Sequence, residues 1–251
     1  MEKKDVLLKI LQTTPNSSKL FQEWFFHISE LLMNHFALEF NGETARMTEL
    51  EFYYHDNPKL SENHPDSLHP DDTSHRNELQ SRFATWYFHH VGPRKESGYK
   101  NLHYTGLDLC FGKEGVTFGI LVRAIEQLRA DLSPKERYVY GPSTLLLKVI
   151  FPALGLQPVV SGARKIENRP DYLKLMRIIE EGDLFRHDLI RLIPYEYPQT
   201  EPVYFAPRIG LNPAKSYHAH PYRFLIYLDK KHLEKGKIVE YIGRYRQPWR
   251  S

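Results

Sequence analysis

ALEFNGETARMTELEFYY, residues 37–54, is the stretch on which the fold turns. Asn41-Gly42 separates two runs of strand character, and Asn-Gly is the dipeptide best suited to a two-residue hairpin turn. In the return arm, alternate residues share a face. Glu49, Glu51 and Tyr53 therefore lie together, while Leu50, Phe52 and Tyr54 point the other way. The apolar set supplies a core-facing side. The acid–acid–tyrosine set must border solvent, a cleft or basic partners. A solvated strand face accounts for these acids without any function. The same pattern also suits chemistry, because a carboxylate beside another carboxylate and an aromatic ring gains proton affinity and is placed to take a proton from water. A tyrosine ring beside it offers a stacking surface for a planar substrate.

Upstream of this arm, residues 3–11 predict a short helix. SKLFQEWFFHISELLMNHF predicts a second, with Leu20, Trp24, Ile28 and Leu31/Leu32 at helical spacing. Downstream, residues 55–80 form a polar stretch with three prolines and four histidines, which excludes a long regular element there. Strand-like segments follow at ATWYFHHVG, YKNLHYTGLDLCFG and VTFGILVRAI. EQLRADLSPKERY reads as helix then loop, and GPSTLLLKVIFPALG as a helix entered through Gly141-Pro142. DYLKLMRIIEEG and DLFRHDLIRLI read as helical pieces. PVYFAPRIGL, YRFLIYL and IVEYIGRY return to strands. Helices and strands mix without strict alternation. The expected fold is an α+β domain with a curved, mainly antiparallel sheet and surrounding helices. Nothing resembling a linker divides the chain, so residues 1–251 read as one domain with an N-terminal helical extension over about 1–36.

At 251 residues the chain is long enough to bury a sizeable core, and 41% hydrophobic and 13% aromatic content exclude a disordered chain. Its formal net charge of +3 is too small to argue for nucleic acid by itself. The distribution is more informative: from Tyr204 onward ten Lys/Arg face three Asp/Glu, whereas residues 46–72 carry seven acids against two bases. The single cysteine, Cys110, lies in the apolar run LDLCFG and reads as a buried small side chain in a reducing compartment. The start MEKKDVLLKILQTTPN carries Lys9 inside its apolar stretch, so neither a signal peptide nor a membrane span is expected, and the cytoplasm is the expected location.

Four short segments together resemble the alkyladenine (3-methyladenine) DNA glycosylase family. That family's E-T-E-A-Y motif is matched by Glu49-Leu50-Glu51-Phe52-Tyr53, and its V-L-L-R-A-L-E segment by residues 120–126. Its G-P-x-K-L helix start resembles Gly141-Pro142-Ser143-Thr144-Leu145. Its late R-V-G and P-x-R-F pieces resemble Arg208-Ile209-Gly210 and Pro221-Tyr222-Arg223-Phe224. The pieces stand in the family's order over residues 29–227. The resemblance implies a fold like the C-terminal domain of a formyltransferase. It further implies a monofunctional DNA N-glycosylase that hydrolyses the bond to a damaged or modified purine with an activated water and no cofactor or metal. Glu51 corresponds to the carboxylate that activates water, and Arg123 to the arginine beside that water and the DNA phosphate. Tyr53 corresponds to the aromatic that stacks on the flipped base, and Glu49 to a supporting acid. Double-stranded DNA with a damaged base is the implied partner, with the base turned out of the stack. Neither a membrane nor an obligate protein partner is implied.

The damage-reading part departs from the family pattern. The family's pocket histidine has two candidate counterparts, His64 and His69, in a longer loop. Tyr104 stands near its duplex-wedging tyrosine, and Asp108 or Asn101 near its pocket asparagine. Arg208, Lys215, His218, His220, Arg223, Arg244 and Arg246, from the basic C-terminal part, are candidate contacts to the DNA backbone. Two other readings compete. One is a noncatalytic nucleic-acid-binding protein on the same scaffold. The other is a metal-dependent hydrolase using His64, His69, His75, Asp71 and Asp72, whose spacing matches no metal motif.

Overall fold

The hairpin forms as its sequence predicts. Asn41 and Gly42 have φ of 49° and 82°, the paired left-handed conformations of a tight hairpin turn, and they join β1 (Phe36–Phe40) to β2 (Glu43–His55). The computed structural model describes residues 2–15, 20–55, 78–88, 106–156, 160–161, 165–166, 169–208 and 220–227. Before the hairpin lie α1 (Lys3–Gln12) and α2 (Phe21–His35). After it come β3 (Phe83–Phe88), β4 (Leu107–Phe111) and β5 (Thr117–Gln127). Next are the single turn α3 (Pro134–Arg137), β6 (Tyr138–Tyr140), α4 (Pro142–Leu145), a π-helical turn at Leu146–Ile150 and α5 (Phe151–Ala153). A two-residue pair, β7 (Val160–Ser161) and β8 (Lys165–Ile166), precedes α6 (Arg169–Glu180). The described chain then runs through β9 (Ile190–Pro194), β10 (Tyr204–Ala206) and β11 (Arg223–Leu225).

Among the described residues, nine strands form one antiparallel sheet around the long central pair β2 and β5. The outer edge of β2 is shared: β1 takes Glu43–Arg46 and β11 takes Glu49–Glu51. The outer edge of β5 is shared likewise, with β4 on Gly119–Val122 and β6 on Ala124–Glu126. The curved sheet expected from the sequence is therefore not found. The sheet is not curved; it forks, because short strands divide the two long edges between them.

The apolar face of β2 makes the core. Leu50, Phe52 and Tyr54 are buried with Phe118, Ile120 and Val122 of β5, and α2 lays Phe21, Phe25, Ile28 and Leu32 onto them at helical spacing. The Phe25 and Phe52 rings lie 4.7 Å apart. Leu7 and Leu11 carry α1 into the same core, and the Trp24 indole donates to the Ile10 carbonyl at 2.8 Å. The N-terminal helices are thus part of the core rather than an appendage to it. Among the described residues, no helix is long and apolar enough to cross a membrane.

Two expected helices are replaced. Residues 190–194 form β9 on β1, where buried Ile190 and Leu192 flank exposed Arg191, a period of two hidden in a short apolar run. Residues 126–127 continue β5 opposite Ala45 and Arg46, and helix appears only at Ser133-Pro134, where Ser133 and Glu136 form a capping box.

The free edge of β3 is covered by the chain following α6. Leu184 N–H donates to the Ala84 carbonyl at 2.8 Å, and the Phe88 N–H donates to the Glu180 carboxylate at 2.8 Å. Glu180 is 4% exposed, and burial pushes its pKa up to about 7, against a smaller opposing pull from the Phe88 hydrogen bond and then Arg177 and Arg82. A folded pKa above the unfolded one means that the folded state binds more protons between about pH 4.5 and 7. The contribution of Glu180 is therefore fully present below that window and lost as pH rises through it. Glu180→Gln is expected to be more stable than wild type by roughly 2–3 kcal/mol at pH 8 and no more stable at pH 4. Urea unfolding at both pH values measures this, and a gain independent of pH would contradict it.

Candidate active site

Glu49 and Glu51 are inside the protein, at 4% and 0% exposure, so the solvated strand face is excluded. Their partners are arginines. Arg123 of β5 reaches both acids, with Nη1 2.9 Å from Glu51 Oε2 and Nε 3.1 Å from Glu49 Oε1. The local backbone explains this reach. Pairing between β2 and β5 runs Met47 to Ile125, Glu49 to Ala124 and Leu50 to Val122, stepping over Thr48 on one strand and Arg123 on the other. Such irregularities re-aim a side chain out of the regular ladder. The Arg123 carbonyl accepts instead from Gly141 N–H at 2.9 Å, and Gly141, at φ 88°, opens α4 through Pro142.

The other oxygen of Glu51 accepts a hydrogen bond from the Tyr53 hydroxyl. Burial first, then the neighbouring Glu51 charge, push the Tyr53 pKa well above its ordinary value, so the phenol keeps the proton it donates. Arg208 donates to the Phe52 carbonyl at 3.2 Å and holds its guanidinium 5.2 Å from the Tyr53 ring centre and 5.6 Å from that of Tyr222. Arg223 of β11 pairs in register with Glu51, and its Nη1 lies 3.4 Å from Glu49 Oε1. Three guanidiniums thus enclose two carboxylates and a phenol on the sheet face opposite the apolar core.

The structure brings Glu49, Glu51, Tyr53 and Arg123 together. Asp108 lies on the same face, but Leu121 separates its strand position from that of Glu51. It is fully buried and accepts from the Gln80 amide at 2.9 Å. Gly119 makes room for both groups: a Cβ there would stand 2.7 Å from the Asp108 carboxylate and 2.9 Å from the Gln80 amide. Cys110 is buried, and burial with nearby Asp108 and Glu180 pushes its thiol pKa well up, as befits a packed side chain and not a nucleophile.

The expected DNA-backbone contacts are placed differently. Arg223 is 1% exposed and Arg208 8% exposed, both turned into the site rather than out to a phosphate. His220 stacks on Tyr222, with ring centres 5.4 Å apart, and burial followed by the Arg208 charge lowers its pKa below the usual histidine value. His64, His69, Tyr104, Lys215, His218, Arg244 and Arg246, with the remaining residues of the His/Asp loop, lie outside the described residues. Among the described residues, no group of His, Cys, Asp and Glu has the makings of a metal site.

Sequence reasoning missed the inward roles of Arg208 and Arg223. For Arg223 a signal was present: it interrupts the apolar run YRFLIYL as Arg123 interrupts GILVRAI. A 260 Å³ pocket lined by Leu11, Trp24, Tyr54, Phe83, Phe111 and Phe118, among others, opens on the other face of the sheet and does not touch Glu51.

No protein-family model matches the chain. It is 26% identical over 247 residues to an uncharacterized protein of Acanthamoeba polyphaga mimivirus, an alignment covering 92% of this chain and 97% of that one. That likeness runs nearly end to end in both chains.

Proposed function

We propose that this chain is a monofunctional DNA N-glycosylase-like hydrolase acting on a damaged or modified purine in duplex DNA, a base-excision repair activity, with Glu51 as the general base. The observation that carries this reading is convergence. The four segments that resemble the alkyladenine glycosylase family are distant in sequence, yet β2, β5 and β11 meet at Glu51, and the Gly141-Pro142 turn is hydrogen-bonded to the backbone of Arg123, the partner of Glu51. On this reading the fold is of the formyltransferase C-terminal-domain kind, built as one domain. Glu51 takes the proton from a water aimed at the sugar carbon, and Arg123 holds the carboxylate in one rotamer. A base that already carries positive charge leaves readily, so orienting the water and stabilising the developing sugar cation are the remaining tasks. The chemistry needs no metal.

One observation favours a second reading, a noncatalytic nucleic-acid-binding protein on the same scaffold: Glu51 has no exposed surface, and both its oxygens are engaged. Base release from duplexes carrying alkylated and deaminated purines separates the two. Release by wild type that is lost in Glu51→Gln supports the glycosylase. Tight, salt-sensitive duplex binding with no release from any of them supports the binding protein.

A further inference from the structure

We infer that Glu49 and Arg223 are positioning residues for Glu51, acting through Arg123, and that Arg223 serves this buried network instead of a DNA phosphate. The inference rests on the reading of Glu51 as the water-activating group, and it changes what Arg223 is for.

The geometry forms a chain. Arg223 Nη1 stands 3.4 Å from Glu49 Oε1, the same oxygen accepts Arg123 Nε at 3.1 Å, and Arg123 Nη1 reaches Glu51 Oε2 at 2.9 Å. A guanidinium is a rigid planar fork, so fixing Nε fixes the direction of Nη1. Glu49 thereby sets the end of Arg123 that Glu51 uses. Glu49 alone would draw Arg123 wholly to itself and set a second negative charge beside Glu51. Arg223 offsets that charge, so that the two acids face the two guanidiniums they are ion-paired with. Arg223 is fitted for nothing outside. It is 1% exposed, its strand is hydrogen-bonded to β2 opposite Glu51, and its Nε has no hydrogen-bond partner among the described residues. A phosphate contact would require uncovering this buried side chain. Stability alone is a poor explanation for a side chain that leaves a buried donor unsatisfied.

The test compares Arg223→Gln, Glu49→Gln and the double variant with wild type. Two measurements are made: single-turnover base release alongside duplex affinity at two salt concentrations, and the side-chain carboxyl carbon-13 resonance of Glu51, assigned by its loss in Glu51→Gln. In Arg223→Gln the single-turnover rate should fall about 10- to 100-fold, with duplex affinity and its salt dependence unchanged. The Glu51 resonance should change position, because Arg123 is no longer held by the same partners. The double variant should be less impaired than the two single losses combined, since charge balance returns. Should Arg223→Gln not fold, Arg223→Lys carries the same measurements; it keeps the charge without the fork, and smaller changes of the same sign are expected. Weakened duplex binding with a shallower salt dependence, at unchanged rate and with the Glu51 resonance unmoved, overturns the inference and returns Arg223 to the DNA backbone. If wild type releases no base from any duplex, the glycosylase reading fails. The carboxyl resonance still decides whether Arg223 controls Glu51.

Discussion

Glu51→Gln should reduce base release by about 10²- to 10⁴-fold while leaving duplex affinity within a few-fold of wild type. The amide keeps the shape of the side chain and an oxygen to accept the Tyr53 hydroxyl or an Arg123 N–H. It lacks the proton affinity that a general base supplies. The loss should therefore fall on the chemical step and not on binding, so that single-turnover rate drops and affinity holds. Protein stability should fall, but by less than in Arg123→Met, because the buried Arg123 guanidinium loses one of its two charged partners while the amide oxygen can still accept a hydrogen bond. The useful contrast is Tyr53→Phe, which deletes the donor to Glu51 but keeps the ring beneath Arg208. If Tyr53 orients the carboxylate, this variant should lose about tenfold in rate with little change in affinity. If Tyr53 acts as a stacking surface alone, Tyr53→Phe should match wild type. An active Glu51→Gln would remove Glu51 from the chemistry altogether.

Much of the site was legible in β2 because strand alternation is a strong constraint. The sequence placed Glu49, Glu51 and Tyr53 on one face and Leu50, Phe52 and Tyr54 on the other, and the structure separates them in that way, with the second set in the core. The partner of the acids was legible only as a candidate: Arg123 interrupts an apolar strand-like run, which suits a partner for an acid or a phosphate but equally a surface residue at a strand end, and the structure pairs it with the acids. What the sequence could not show was the reach of Arg123, which depends on an irregular pairing between β2 and β5. No residue pattern in either strand announces that irregularity. The basic C-terminal part misled for a related reason. Charge counted along the chain does not distinguish a guanidinium turned outward from one turned in, and Arg208 and Arg223 are turned in. The forked sheet was hidden because it depends on which short strands share the two long edges, a long-range matter. Strand β9 was hidden because five residues, Ile190–Pro194, are too few for periodicity to tell a helix from a strand.

Arg123→Met is expected to destabilise the fold by about 3–5 kcal/mol, seen as a lower denaturation midpoint at unchanged denaturant dependence. The substitution keeps side-chain bulk but strands Glu49 and Glu51 together, at 4% and 0% exposure, with Arg223 left to offset Glu49 alone. Arg123→Lys should recover part of the stability, because a single ammonium cannot hold both acids as the fork does. The decisive variant replaces Glu49, Glu51, Arg123 and Arg223 together with apolar residues of similar volume and Tyr53 with Phe. A buried ion network is weak support for stability, and apolar replacements of similar shape are often neutral or stabilising. This variant should regain at least half of what Arg123→Met loses, and it should be inert in base release. That outcome would mean the charged network persists for its chemistry, at some cost to the fold. A combined variant less stable than Arg123→Met would instead make the network part of the structural core and remove the argument that its charges exist to activate water.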